Sequence, residues 1–409
     1  MNAKLVALLV ARKGGSMTEN ITLMEPLLPP EGTGELNDLA IDLVSKASSF
    51  AGMLNPVVSK SIGNLVRSMN CYYSNLIEGH DTHPRDIDRA MAEDYSSEPK
   101  KRALQKEAVA HIAVQKLIDE DKTPAFYPLS SEYGRWIHEE FCTRLPEELL
   151  WVENPDTGEK IKIIPGKYRD GMVAVGRHIP PRPENLERFL ERFDEAYDAN
   201  KLSRLQRIIS IAASHHRYVW IHPFFDGNGR VVRLMSYAAL KKIDVGSELW
   251  SVARGLARRK DEYKTLLQAA DEPRRGDLDG RGSLSQKALV DFSEFFLNIC
   301  IDQVEYMRSL LDFKTLSERM RIHVEEMIAL KELPKGSYAL LREALLVGEF
   351  ERGKVEEITG LNDRTARAVL YALSKKGLLV SDTPRGPVRL GFPVDVVERW
   401  FPLLYPATK

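Results

Sequence analysis

The chain has 409 residues, enough for two or three domains with buried cores. Lys and Arg number 58 against 59 Asp and Glu, a net charge of −1, so no global basic field marks a nucleic-acid or membrane binder. Three widely spaced cysteines, Cys71, Cys142 and Cys300, exclude a disulfide scaffold and a cysteine-rich zinc site, and they fit a reducing cytoplasm.

Leu5 to Val10 is an apolar run followed by Arg12 and Lys13, short for a secretory segment and without a clean cleavage pattern. No stretch reaches the ~20 apolar residues of a membrane span. Met17 opens a more polar start, so translation from Met1 or from Met17 stays open. Residues 1–36, with Pro26, Pro29, Pro30, Gly32 and Gly34, read as an extended lead-in. Asn37 is expected to cap a helix over Leu39 to Phe50, and a second helix runs from Pro56 to Glu78, closed by Gly79. Helical patterns follow at 87–93, 98–119, 129–144, 184–199, 201–219, 230–242, 260–270, 285–313 and 315–331. Lys160 to Pro181 breaks this rhythm. Alternation in its IKII and MVAV runs, with Pro-Gly and Asp-Gly turns, predicts a β-hairpin.

The fold class is therefore mainly α. The boundaries drawn are a lead-in over 1–36, an N-terminal helical region over 37–128, a helical core with its hairpin at 160–181 over 129–332, and a distinct segment over 333–409. That last segment reads helix, turn at Leu361-Asn362, helix from Asp363 to Lys376, then two strands around Thr383 to Leu390. The pattern resembles a winged helix-turn-helix domain.

Residues 222–233 carry the chemistry: His-Pro-Phe-Phe-Asp-Gly-Asn-Gly-Arg-Val-Val-Arg. Pro223 ends the preceding helix at His222, and a new helix starts near Asn228 to Arg230. A helix N-terminus behind Gly227-Asn228-Gly229 is an anion site, because its first N–H groups are unpaired and the glycines admit a phosphate to the backbone. Arg230 and Arg233, spaced i, i+3, suit a polyphosphate. Asp226 is a hard oxygen ligand placed for a phosphate-bound Mg²⁺, and His222 can take a proton near neutral pH. No Walker A or zincin pattern occurs in the chain.

This string resembles the Fic family signature, His-Pro-Phe-x-Asp/Glu-Gly-Asn-Gly-Arg-x-x-Arg, at all nine specified positions. His215, Tyr218 and Ile221 upstream, the hairpin PGKYRDGMVAVGRHIPP, and YKTLLQAAD (263–271) extend the resemblance over roughly residues 60–310. The resemblance implies transfer of AMP from ATP to a Ser, Thr or Tyr hydroxyl of a target protein. His222 would be the base and Asp226 the Mg²⁺ ligand. Gly227, Asn228 and Gly229 would donate to the phosphates, Arg230 would support the β-phosphate, Arg233 would grip the γ-phosphate, and Phe224 would anchor the loop. Val175, Gly176, Arg177 and His178 of the flap would line the nucleotide, with Tyr263 and Asp271 on the adenine side. The flap edge would take up a target segment as an added strand.

Ser74 and Glu78 share a helix face at i, i+4, and Glu78 sits in a last helical turn, where a negative charge opposes the dipole by ~0.3–1 kcal/mol. An arginine is the expected partner. Ser74 to Gly79 resembles the family's inhibitory motif, Ser/Thr-x-x-x-Glu-Gly/Asn, in which the Glu pairs with the second motif arginine, here Arg233. His80 stands where many relatives have Asn. The same residues would also serve removal of AMP, with Glu78 orienting a water.

A different class of function is a DNA-binding regulator with a secondary catalytic domain. Residues 334–409 hold 12 basic against 9 acidic residues, a net of +3, mild for that role. Arg364, Arg367, Lys375, Lys376, Arg385 and Arg389 lie where such a module meets DNA, while Trp400 and Phe401 suit packing on the core or a second subunit. Cytoplasmic location is expected. A homodimer is left open and no membrane partner is expected.

Overall fold

The computed structural model describes the backbone of residues 6–9, and residues 18–154 and 158–405. Among these are sixteen α-helices and seven short strands, in two units. One unit comprises the residues up to Ala47, Asn70–Ser247 and Ser251–Gln303. The other comprises Ser48–Met69, Glu248–Trp250 and the residues from Val304 onward. This division cuts across the boundaries drawn from sequence at 36/37, 128/129 and 332/333. No helix of the described residues is long and apolar enough to cross a membrane.

The first unit is helical and carries the motif loop. Helix α1 (Gly34–Ala51) starts three residues before Asn37, so Asn37 lies inside it and is not its cap. Helix α2 (Pro56–Glu78), which belongs to this unit from Asn70 onward, ends as expected. Gly79 takes φ 87°, its N–H reaches Leu76 O at 3.1 Å, and His80 N–H reaches Asn75 O at 2.9 Å. That pair of bonds closes the last carbonyls with a left-handed glycine. Helices α3 (Pro84–Met91), α4 (Pro99–Asp119), α5 (Ser131–Thr143), α6 (Leu186–Ala196), α7 (Arg204–Ile221) and α8 (Asn228–Lys242) follow. Ser203 starts α7 with a capping box to Gln206. Helices α7 and α8 pack on each other, α5 lies against α8, and α4 against α5. At the junction Gly134 of α5 is required: a Cβ there would overlap the Tyr218 hydroxyl of α7 and come within 3.1 Å of Met235 Sδ on α8. The unit is completed by α9 (Val252–Arg258), which the periodicity missed, α10 (Lys260–Asp271) and most of α11 (Gln286–Leu310).

The expected hairpin over 160–181 is corrected. Strand β1 is Val6–Leu9, β2 Trp151–Glu153, β3 Lys160–Lys162 and β4 Met172–Val175. Strand β3 pairs antiparallel with β2, and β4 pairs antiparallel with β1, in register Val6 to Val175 and Leu9 to Met172. Strands β3 and β4 therefore do not pair with each other. The reason lies between them. Arg169, 2% exposed, donates to the carbonyls of His222 (Nε, 2.8 Å), Gly171 (Nη1, 2.9 Å) and Pro181 (Nη2, 2.5 Å). This holds the connecting chain against the motif loop. Beyond β4 the chain turns tightly at Gly176-Arg177, with Val175 N–H to His178 O at 2.9 Å and His178 N–H to Val175 O at 3.0 Å. The segment 1–36 is thus not only a lead-in, since Val6–Leu9 is a strand and Ile21–Met24 a 3₁₀ turn.

In the second unit, α12 (Phe313–Ala329) and α13 (Ser337–Val347) precede β5 (Glu349–Phe350), α14 (Val355–Thr359), α15 (Asp363–Lys375), β6 (Leu379–Val380), β7 (Val388–Leu390) and α16 (Val394–Trp400). The three strands form one antiparallel sheet in the order β5-β7-β6. Asn362 caps α15. Trp400 is buried within this unit, its Nε1 on His323 Nδ1 of α12 at 3.0 Å. Several of its surface cations are already paired: Arg367 with Asp363 at 2.7 Å, Lys376 with Glu332 at 2.9 Å and Arg389 with Asp382 at 2.6 Å.

Candidate active site

His222 closes α7 in the left-handed conformation, φ 51° and ψ 61°, because Pro223 bars another helical turn. Arg169 fixes that bend through the His222 carbonyl, and its own N–H donates to Pro223 O at 2.8 Å. The ring is 6% exposed, and neither of its nitrogens bonds another side chain among the described residues. Burial, with Arg169 and His178 adding to it and the Val219 backbone and Asp226 partly opposing it, pushes its pKa down to about 4. The imidazole is therefore neutral near pH 7 and keeps a lone pair for an incoming proton.

The loop after it is braced from inside. Asn228 Nδ2 donates to Phe224 O at 2.8 Å and its Oδ1 accepts from Phe224 N–H at 3.0 Å. The Phe224 ring is buried and stacks on His138 of α5 with centroids 3.8 Å apart. Gly227, at φ 85°, then delivers the chain into the first turn of α8. Asp226 is half-exposed. Its Oδ1 accepts from Gly227 N–H at 2.8 Å, and its Oδ2 lies 3.6 Å from Arg230 Nη2.

Both arginines of α8 are buried and paired. Arg233 meets Glu78 Oε1 through Nη2 at 2.6 Å and Ser74 Oγ through Nε at 2.9 Å. Burial alone would raise the Glu78 pKa, but Arg233 and Arg230 outweigh it and hold the carboxyl below its usual range. A Cβ on Gly229 would overlap Glu78 Oε1. The carboxylate thus presses on the start of α8, where a helix N-terminus favours an anion. Lys260 of α10 closes the far side, donating to Leu76 O at 2.7 Å on the last turn of α2. Arg230 meets Glu107 of α4 through Nη1 at 3.0 Å.

The structure therefore gathers His222, Asp226, Gly227, Asn228, Gly229, Arg230, Arg233, Ser74 and Glu78 into one place. Tyr263 is also there, but buried: its hydroxyl is 2.7 Å from His215 Nε2, and it interacts electrostatically with Arg233. Asp271 meets His216 Nε2 at 3.1 Å at the end of α10. Val175 and His178 are half-buried, Gly176 and Arg177 exposed, and His178 Nε2 lies 2.7 Å from Trp220 O. Sequence reasoning missed Arg169, Glu107 and Lys260, because each is a lone charge whose partner lies far along the chain.

No group of three or more His, Cys, Asp or Glu suited to a metal occurs among the described residues. The donor set at the loop is a single half-exposed carboxylate, Asp226, beside an anion cradle. That set fits Mg²⁺, which commonly takes one or two carboxylates and completes its shell with substrate phosphates and water.

Residues 128–240 match the model of the Fic/DOC family, a stretch that includes the flap strand, α7, the motif loop and most of α8. This chain carries a Fic/DOC family domain there. It is 30% identical over 175 residues to the protein adenylyltransferase Fic of Nematostella vectensis, covering 42% of this chain and 36% of that protein. The protein adenylyltransferase Fic of Drosophila melanogaster is 39% identical over 96 residues, covering 24% of this chain and 20% of that one. The chain thus spans about a third and a fifth of these relatives' lengths. A Fic family protein from Desulfovibrio desulfuricans G20 shares the fold with a TM-score of 0.51 at 17% identity, over 90% of this chain and 98% of that one.

Proposed function

We propose that the chain is a protein adenylyltransferase that moves AMP from ATP to a Ser, Thr or Tyr hydroxyl of a target protein and is restrained by Glu78. One observation carries the reading. A neutral His222 with no side-chain partner stands at one end of a helix-N-terminus anion cradle, and at the other end the second arginine is held by a carboxylate.

In the reaction the target oxygen bonds to the α-phosphorus, and the bond from that phosphorus to the oxygen bridging to the β-phosphate breaks. The hydroxyl proton passes to a His222 ring nitrogen, and pyrophosphate leaves. Mg²⁺ held by Asp226 would neutralise charge on the leaving pyrophosphate. The backbone N–H groups at the start of α8 and the Arg230 side chain hold the phosphate chain, and Arg233 aligns it for in-line attack once Glu78 withdraws. Most of the rate then comes from positioning and charge stabilisation. Incubation with labelled ATP and a cell lysate, with and without Glu78→Gly, tests the reading. Loss of label from pre-modified proteins, in place of its gain, would move it to the reverse reaction.

The target docks along the flap as an added strand. One edge of β4 is taken by β1 of the same chain, so a target strand that adds on that edge would displace residues 6–9. A chain started at Met17 is therefore expected to modify lysate proteins several-fold more than the full chain when both carry Glu78→Gly. Equal labelling would place the docking site elsewhere.

For the C-terminal segment the order α13-β5-α14-α15-β6-β7 supports the winged helix-turn-helix reading. With Arg367, Lys376 and Arg389 neutralised by carboxylates, the module fits a protein contact better than duplex DNA. Salt-dependent binding of duplex DNA by the full chain at micromolar concentration would reverse that preference.

A further inference from the structure

Helix α4 brings Glu107 to the motif loop across 123 residues of sequence. Its side chain is 14% exposed, and a carboxylate this covered is rare unless paired. The pairing is double. The same oxygen, Oε2, lies 3.0 Å from Arg230 Nη1 and 3.1 Å from His80 Nδ1, just past the end of α2. Burial works to raise the carboxyl pKa, but Arg230 and His80 outweigh it, so the net shift is downward and the group is ionised. Arg230 is fixed on a second side, its guanidinium carbon 4.7 Å from the centroid of the Phe141 ring. Its Nε is buried with no hydrogen-bond partner among the described residues.

We propose that Glu107 is a positioning residue of the phosphate cradle: it anchors one edge of Arg230 so that the rest of the guanidinium faces the nucleotide. This rests on the adenylyltransferase reading above. A guanidinium presents its N–H groups in a rigid plane, so fixing one edge and one face fixes the direction of the remaining donors. Two other acids act on Arg230: Asp226, at 3.6 Å and half-exposed, which a bound Mg²⁺ would recruit, and Glu78, which the adenylyltransferase reading withdraws. Glu107 is the anchor that stays. It belongs to α4, outside the family-matched stretch, and touches the chain at His80, so it joins the cradle to the end of the helix that carries Glu78.

The opposing account makes Glu107 a competitor that occupies Arg230 and must be outbid by phosphate. The two accounts predict opposite signs. In the full chain carrying Glu78→Gly, calorimetric titration with ATP and Mg²⁺ and initial rates of AMP transfer are measured for Glu107→Gln. Anchoring predicts that Kd and KM for ATP rise about tenfold, the size of one charge-assisted hydrogen bond, while kcat changes far less. Unchanged or tighter ATP binding overturns the proposal. Because Glu107 acts through Arg230, Glu107→Gln added to Arg230→Ala should weaken binding no further, and an undiminished second loss also overturns it. Should Glu107→Gln fail to fold by thermal melting, Glu107→Asp keeps the charge but shortens the reach. It must then raise Kd, and an unchanged Kd counts against anchoring. A Glu78→Gly protein that binds ATP but transfers nothing defeats the adenylyltransferase reading alone, since the Kd comparison still reads Glu107.

Discussion

His222→Ala is expected to abolish AMP transfer while leaving ATP binding nearly intact. Loss of a positioned base typically costs ~10²–10⁴-fold in rate. The retained binding follows from the ring's surroundings. Neither nitrogen bonds another side chain among the described residues, and Arg169 holds the backbone carbonyl, which alanine keeps. The phosphate donors lie beyond the loop braced by Asn228 and Phe224, so truncation at 222 leaves them in place. A pH profile adds a second check. With a pKa near 4, His222 is neutral throughout the neutral range and gains its proton only as pH falls through about 4. Transfer by the Glu78→Gly chain should therefore show no loss attributable to this group between pH 8 and roughly pH 5. Label transfer by His222→Ala within a few-fold of the parent would remove His222 from the chemistry.

What the sequence disclosed was local. The motif loop is legible because nine specified residues fall within twelve, and each constrains its neighbour: Pro223 ends one helix and Gly227 opens the next. Glu78 is legible for the same reason, since Ser74, Glu78 and Gly79 sit on one helical turn with its closing glycine. Helices α2, α7 and α8 announce themselves by apolar period and caps. The failures are non-local. The MVAV run and the first half of IKII are strand, but a strand's partner is not written in the strand. Here the partners are Trp151–Glu153 and Val6–Leu9, the latter in a stretch read as lead-in. Arg169, Glu107 and Lys260 carry no period, turn or motif. Lys260 meets the Leu76 carbonyl across 184 residues, a pairing that only the tertiary fold makes.

Glu78→Gly is expected to raise self-modification and to tighten productive ATP binding about tenfold, the scale of one partly solvated charge-assisted hydrogen bond. Two features of the geometry argue this. The carboxylate oxygen lies against Gly229, at the helix start that a phosphate would use, so nucleotide and Glu78 cannot both have it. The same oxygen holds Arg233 at 2.6 Å. Removing Glu78 does not release Arg233 into disorder, because Ser74 Oγ still accepts from its Nε at 2.9 Å. Nη2 loses its charged partner and keeps only a 3.3 Å bond to Ser74 O, while Nε stays fixed. Adding Arg233→Ala should then cancel the gain, which distinguishes loss of a brake from a general loosening of the site. The sign with pH follows from the lowered Glu78 pKa. The ion pair is intact above the carboxyl's depressed value and is lost only as pH falls through it, so acidification within the neutral range should not substitute for the mutation. If Glu78→Gly labels neither itself nor any lysate protein more than the parent does, the carboxylate is a structural partner of Arg233 and not a brake. If the gain survives Arg233→Ala, the blocked group is the helix N-terminus and not the arginine.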